Sequence, residues 1–360
     1  MPEAGSRRFV FRVDASAGIG GGHVMRCLTL AKELRARSAH VHFVCRELEG
    51  NLCSLVEHDG FMLTRLPAPV PGEPRSGGLG ATWQDDAAET AAAVRAAGPR
   101  PDWLVVDHYS IGSPWESAMR AAAGRILVID DVGRSHHCDL LLDQNMENPA
   151  HGRYGSLLPR SAKQLLGPSY ALVRPEFGAL RTASLERRQA PVLERVLVFM
   201  GSSDVRDETT KALDGMAGLD RGLAAVDIVI GAANPHRSRL EERCAASRGM
   251  ELFVQTPRMA ELMARADLAI CAAGSTTWER CVLGLPGLAV IQADNEAEIA
   301  AAVAATGAQK LLGLPQRLRP QDYRDAVERI GSHDLARMSE AAARLCDGRG
   351  ASRVADELLG

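Results

Sequence analysis

A chain of 360 residues, 46% hydrophobic and 24% charged, is longer than one ordinary core fills, so two domains are expected. A formal net charge of -3 with no long basic run excludes an electrostatic footprint for nucleic acid or for an anionic membrane surface. No segment is apolar for the length a bilayer requires, no signal-type stretch opens the chain, and the eight cysteines form no C-x-x-C pair, so a soluble cytoplasmic protein with cysteines packed as small hydrophobes is expected; it is taken as a monomer, although none of these features bears on oligomeric state.

In chain order, short apolar runs at residues 9–14, 41–45, 103–107 and 126–130 alternate with helical patterns, which predicts a parallel sheet covered on both faces. Residues 67–80, rich in Pro and Gly, predict a surface loop that is a candidate flap. A second alternating series covers residues 195–200, 226–230, 251–254, 268–271 and 287–291. Between the two series, residues 169–190 read as an interdomain connection. The expected fold is α/β, with two Rossmann-like doubly wound domains, residues 1–185 and 186–360, and a cleft between them.

The first site candidate is the strand at residues 9–14, the loop Gly18-Ile19-Gly20-Gly21-Gly22-His23 and an amphipathic helix. Ligands bind at the carboxyl ends of strands in such sheets, and Gly21 and Gly22 leave bare backbone there for a substrate. The loop is neither a dinucleotide fingerprint, since His23 stands where the third glycine belongs, nor a Walker A loop. His23 falls in the first helical turn, where the positive end of the dipole disfavours the imidazolium; this suits a general base for water. The plain alternative is a histidine that only caps the helix or satisfies a buried carbonyl. Asp14 either orients His23, contacts substrate or caps the loop. Tyr109 in Asp107-His108-Tyr109 is expected to line the cleft, with His108 a secondary base candidate.

The second candidate is Gly274-Ser275-Thr276-Thr277 leading into Trp278 and Glu279. Free amides and hydroxyls at a helix start suit a diphosphate, and Glu279 one turn on suits two ribose hydroxyls. The alternative is a simple N-cap with Glu279 on the surface. Gly201 and Ser202 either add amides to this cradle or form a tight turn capped by Asp204. Asn295, after Asp294, is expected to face the same cleft. No metal site is expected: His136-His137-Cys138-Asp139 and Asp130-Asp131 are adjacent residues that point apart. A G-x-S-x-G elbow is missing, so a Ser-His-Asp triad is not supported.

Read together, residues 18–31, 107–109, 130–131, 137–145, 166–177, 231–236 and 274–281 resemble the UDP-2,4-diacetamido-2,4,6-trideoxy-β-L-altropyranose hydrolases of pseudaminic acid biosynthesis, which are built like GT-B glycosyltransferases. The resemblance implies that His23 is the base, that Tyr109 and Asn295 line the sugar, and that residues 274–279 hold UDP. It also implies inverting attack of water at C1 without metal or cofactor. The chain departs from that pattern at Ser202, where the family has glycine, and at Cys271-Ala272-Ala273. A glycosyltransferase of the same fold and a hydrolysing epimerase are the rival readings.

Overall fold

Strands buried on both faces carry continuous apolar runs, and that is how the central strands of both units are built. In the computed structural model, which describes residues 6–70, 77–146, 152–201, 203–220, 222–293 and 296–360, the first unit contains Arg8–Val13 (β1), His40–Arg46 (β2), Met62–Leu66 (β3), Trp103–Asp107 (β4), Arg125–Ile129 (β5), Leu140–Asp143 (β6) and Lys163–Leu166 (β7). These pair in parallel in the order β3-β2-β1-β4-β5-β6-β7. Phe9, Phe11 and Val13 of β1 enter one core with Leu28 and Leu34 of the helix Gly22–Ala36. Val10 enters another with Leu104, Val106 and Trp115, so helices cover both faces.

The second unit contains Arg195–Phe199 (β8), Ala225–Ile230 (β9), Met250–Val254 (β10), Leu268–Ala272 (β11), Gly287–Val290 (β12) and Gln309–Gly313 (β13). Its parallel order is β10-β9-β8-β11-β12-β13. Both orders reverse direction once, between β1 and β4 and between β8 and β11, and such a switch point is where an open α/β sheet opens a crevice for ligand. The two expected doubly wound sheets are therefore present.

Four strands are additional to those expected. Three of them, β3, β7 and β13, lie at sheet edges with partly exposed residues, and β6 is only four residues long, so none shows a long apolar run. The division between units also differs from residue 185. The first unit is Met1–Val173 with Arg349–Gly360, and the second is Arg174–Gly348. The helix Pro175–Arg187 belongs to the second unit because Ser184 Oγ donates to the Leu283 carbonyl at 2.8 Å and Arg181 donates to the carbonyls of Val282 and Cys346 at 2.5 and 2.9 Å. The helix Gly350–Leu359 returns to the first, where Val354 and Leu358 are buried and the Trp103 indole donates to the Leu358 carbonyl at 3.0 Å. Among the described residues, no helix is long and apolar enough to cross a membrane.

Candidate active site

The loop after β1 is shaped by its glycines. Gly20 has φ 80°, a left-handed conformation that suits glycine, and its N–H donates to the Ser16 carbonyl at 2.8 Å. A Cβ on Gly21 would lie 2.9 Å from Leu52 Cδ1, whereas a Cβ on Gly22 would meet nothing within 4 Å. Backbone is thus left open at the start of the helix Gly22–Ala36, which has no side-chain cap and no acidic residue in its first turn.

His23 sits in that turn, 7% exposed, with Nδ1 2.6 Å from Oδ1 of the fully buried Asp107 at the end of β4. Burial works to raise the Asp107 carboxyl, but the charge of Arg26 and the hydrogen bonds from Arg26 and His23 outweigh it and hold the group well below the usual carboxylate range. An ionised oxygen this close to a ring nitrogen requires a proton between them, and that proton is on Nδ1. The Nε2 lone pair is then the free acceptor, the arrangement a general base requires. Arg26, one turn along the same helix face, donates from Nε and Nη2 to the two oxygens of Asp107 at 2.6 and 2.7 Å, and from Nη1 to Asp131 at 3.0 Å. The Tyr109 hydroxyl donates to the other Asp131 oxygen at 2.6 Å, and its ring meets the His23 ring edge-on at 4.6 Å. Tyr109 is 38% exposed, so one of its faces remains available to a ligand.

The structure thus brings His23, Gly22 and Tyr109 together beyond the carboxyl ends of β1 and β4, the two strands that flank the switch point. It does not place Asp14 with them. Asp14 is fully buried, receives Arg12 and the backbone N–H of Arg46, both at 2.6 Å, and belongs to a charge cluster completed by Asp86, so it is corrected from a substrate contact to a buried partner of Arg12. His108 is also buried, lies 3.5 Å from Asp14, and is pushed down to about 4 by burial, which removes it as an accessible base. The carboxylate that meets the His23 ring is that of Asp107, whereas orienting His23 is one of the alternatives for Asp14; Arg26 and Asp131 are not among the site candidates of the sequence. A signal for Arg26 was present in its spacing of three residues from His23 on a helix.

In the second unit, Gly274 follows β11 and its backbone passes close to Glu296, whose Oε1 would lie 3.0 Å from an added Cβ. Ser275 precedes the short helix Thr276–Val282 without capping it through its side chain. Thr277 Oγ1 is buried with no partner among the described residues, as are Asn234 Nδ2 and Gln292 Nε2, which follow β9 and β12. Unpaired buried polar groups are costly, and three beyond the carboxyl ends of β9, β11 and β12 in one sheet fit a polar ligand. Glu279 is largely buried and accepts from Arg174 Nε at 2.9 Å; burial raises its carboxyl against the lowering effect of Arg174. Gly201 follows β8 with φ 89° and nothing within 4 Å of an added Cβ. Asp204 caps the helix Glu208–Ala217 by accepting from the N–H groups of Glu208 and Thr209 at 3.0 and 2.9 Å. Ser202, Asp294 and Asn295 lie outside the described residues, as do residues 71–76 of the candidate flap.

The adjacent motifs weighed for metal are each engaged elsewhere. His136 pairs with Glu116 at 2.6 Å, His137 with Ser117 at 2.7 Å and Asp139 with Arg120 at 2.5 Å. Among the described residues, no three His, Cys, Asp or Glu side chains are grouped to hold a metal ion.

Residues 195–354 match the glycosyltransferase family 28 C-terminal domain. Over 301 residues the chain is 25% identical to the UDP-2,4-diacetamido-2,4,6-trideoxy-β-L-altropyranose hydrolase of Campylobacter jejuni, which spans 83% of this chain and 97% of that protein. Among solved structures, Acinetobacter baumannii MurG matches with a TM-score of 0.67 at 16% identity, over 98% of this chain and 99% of that one. Arabidopsis thaliana UGT89C1 complexed with UDP matches with a TM-score of 0.65 at 11% identity, over 99% and 100%. At such identities the solved structures establish the fold alone. The chain therefore has the GT-B fold of two Rossmann-like units, matches the glycosyltransferase family 28 C-terminal domain over residues 195–354 and resembles the altropyranose hydrolase along most of its length.

Proposed function

We propose that the chain is a UDP-sugar hydrolase that releases UDP from UDP-2,4-diacetamido-2,4,6-trideoxy-β-L-altropyranose in pseudaminic acid biosynthesis, as a cytoplasmic monomer with no metal or cofactor. The observation that carries this reading is the His23–Asp107 pair at 2.6 Å beside an open glycine backbone at a switch point. In the proposed step Nε2 of His23 takes a proton from water as the water oxygen bonds to C1 of the sugar. The bond from C1 to the phosphate oxygen breaks, its electron pair leaves on the diphosphate, and C1 inverts. UDP is held by the second unit, with the polar groups following β8 and β11 on the phosphates and Glu279 on the ribose. A diphosphate leaves as a stable anion, so amides and helix ends suffice and no general acid is needed.

The similarity to the Campylobacter jejuni hydrolase favours this substrate over others of its class. The test is incubation with the UDP-sugar in ¹⁸O-labelled water containing EDTA, followed by mass spectrometry of both products. Label in the free sugar, with EDTA without effect, is the expected result. Label in UDP would place the attack at phosphorus and overturn the mechanism, and NMR of the sugar showing inverted C2 would make the chain an epimerase instead.

A further inference from the structure

Arg26 touches both arms of the first-unit site, and neither the base assignment nor the substrate reading requires it to. We propose that Arg26 is a positioning residue that holds Asp107 and Asp131 in one frame and offsets the charge of Asp107 beside the His23 ring. The inference deepens the hydrolase reading and rests on His23 as its base.

The geometry is specific to a guanidinium. Nε and Nη2 reach the two oxygens of Asp107 at 2.6 and 2.7 Å, while Nη1 reaches Asp131 at 3.0 Å. Asp107 carries His23 on Oδ1, and Asp131 carries the Tyr109 hydroxyl on its second oxygen. One planar fork therefore sets the angle of the imidazole and of the phenol together. A lysine ammonium, with a single nitrogen, cannot span both carboxylates in this way.

The charge balance at the ring points the same way. The groups around His23 are Asp107, His108 and Tyr109 at the end of β4, Arg26 and Cys27 on its own helix, and Asp131 after β5. Burial, followed by the charge of Asp131, pushes the Tyr109 hydroxyl up; burial, followed by the charge of Asp107, does the same for the Cys27 thiol; and burial pushes His108 down to about 4. All three are neutral near pH 7. The ring then faces two carboxylates and one cation, and Arg26 Nη2 stands 3.1 Å from Nδ1. Two unopposed carboxylates would stabilise the imidazolium and consume the base; the guanidinium opposes this without loosening the hydrogen bond that orients the ring.

The experiment is an NMR titration of the histidine rings in the full chain, with His23→Ala identifying the His23 signal. Arg26→Gln removes the cation and is expected to raise the midpoint of the His23 titration by about one pH unit. Arg26→Lys keeps the charge but not the fork, so it is expected to leave that midpoint within about 0.3 units while lowering turnover of UDP-2,4-diacetamido-2,4,6-trideoxy-β-L-altropyranose by about 10-fold. A purely structural role would reduce melting temperature without moving the midpoint. An Arg26→Gln midpoint equal to wild type overturns the proposal; if that variant does not fold, wild-type turnover by Arg26→Lys overturns it. Retained turnover in His23→Ala would instead remove the base reading, and the ring titration would still decide the effect of Arg26.

Discussion

Nδ1 of His23 and Oδ1 of Asp107 are 2.6 Å apart although 84 residues separate them in sequence. The contact leaves Nε2 as the only ring acceptor, and a residue that donates in place of the carboxylate would reverse the tautomer. Asp107→Asn is expected to lower kcat by on the order of 10²–10⁴ while calorimetry shows UDP affinity unchanged. A wild-type kcat in this variant would remove Asp107 from the orienting role.

The glycines of the first loop separate conformational from spatial demands. Gly20 holds φ 80°, so Gly20→Ala is expected to cost about 1 kcal/mol, read as a lower urea midpoint. Gly22 begins a helix and has open space where a Cβ would go. Gly22→Ala is therefore expected to leave the urea midpoint at or slightly above wild type and still lower kcat/KM about 10-fold, because the methyl group occupies substrate space. Unchanged kcat/KM would place the sugar elsewhere.

Glu279 keeps one oxygen on Arg174 at 2.9 Å. If its other oxygen receives ribose hydroxyls, Glu279→Gln is expected to raise the Kd for UDP about 10-fold in titration calorimetry, with His23→Ala leaving that Kd at the wild-type value. Equal Kd values for Glu279→Gln and wild type would exclude the ribose contact.

Two buried histidines of the first unit are expected to give the stability curve opposite slopes. For His136, burial is outweighed by two carboxylates, Glu116 accepting from Nδ1 at 2.6 Å and Asp130 lying 3.6 Å from Nε2, and its value is raised. Its contribution is complete below the ordinary histidine value and is lost as pH rises through the raised one. For His108, burial lowers the value to about 4, so its effect runs the other way. Stability is complete above about 6.5 and falls by up to roughly 3 kcal/mol as pH drops to about 4. Urea denaturation of His108→Asn across that range should show a shallower acid loss than wild type, and His136→Asn a shallower alkaline loss. Parallel curves for wild type and both variants would exclude these linkages.

The sequence by itself determined what depends on neighbours along the chain. The central strands are continuous apolar runs because both faces are covered, and glycines after β1 and β11 mark strand-to-helix turns wherever they occur. From these came two doubly wound units, His23 in a first helical turn and a strand-to-helix turn at Gly274. Tertiary structure decided what depends on partners far away in sequence. Asp14 and Asp107 both end strands of the same sheet and look alike in sequence, yet Arg12, two residues from Asp14, points to the same face and captures its carboxylate, while Asp107 lies beside the start of the helix that carries His23 and Arg26. The same holds for the unit boundary: the helix Pro175–Arg187 has a connector's composition, and only the carbonyls that Arg181 and Ser184 reach assign it to the second unit. Periodicity records which face of an element is apolar; it carries no record of which charge another strand brings to meet it.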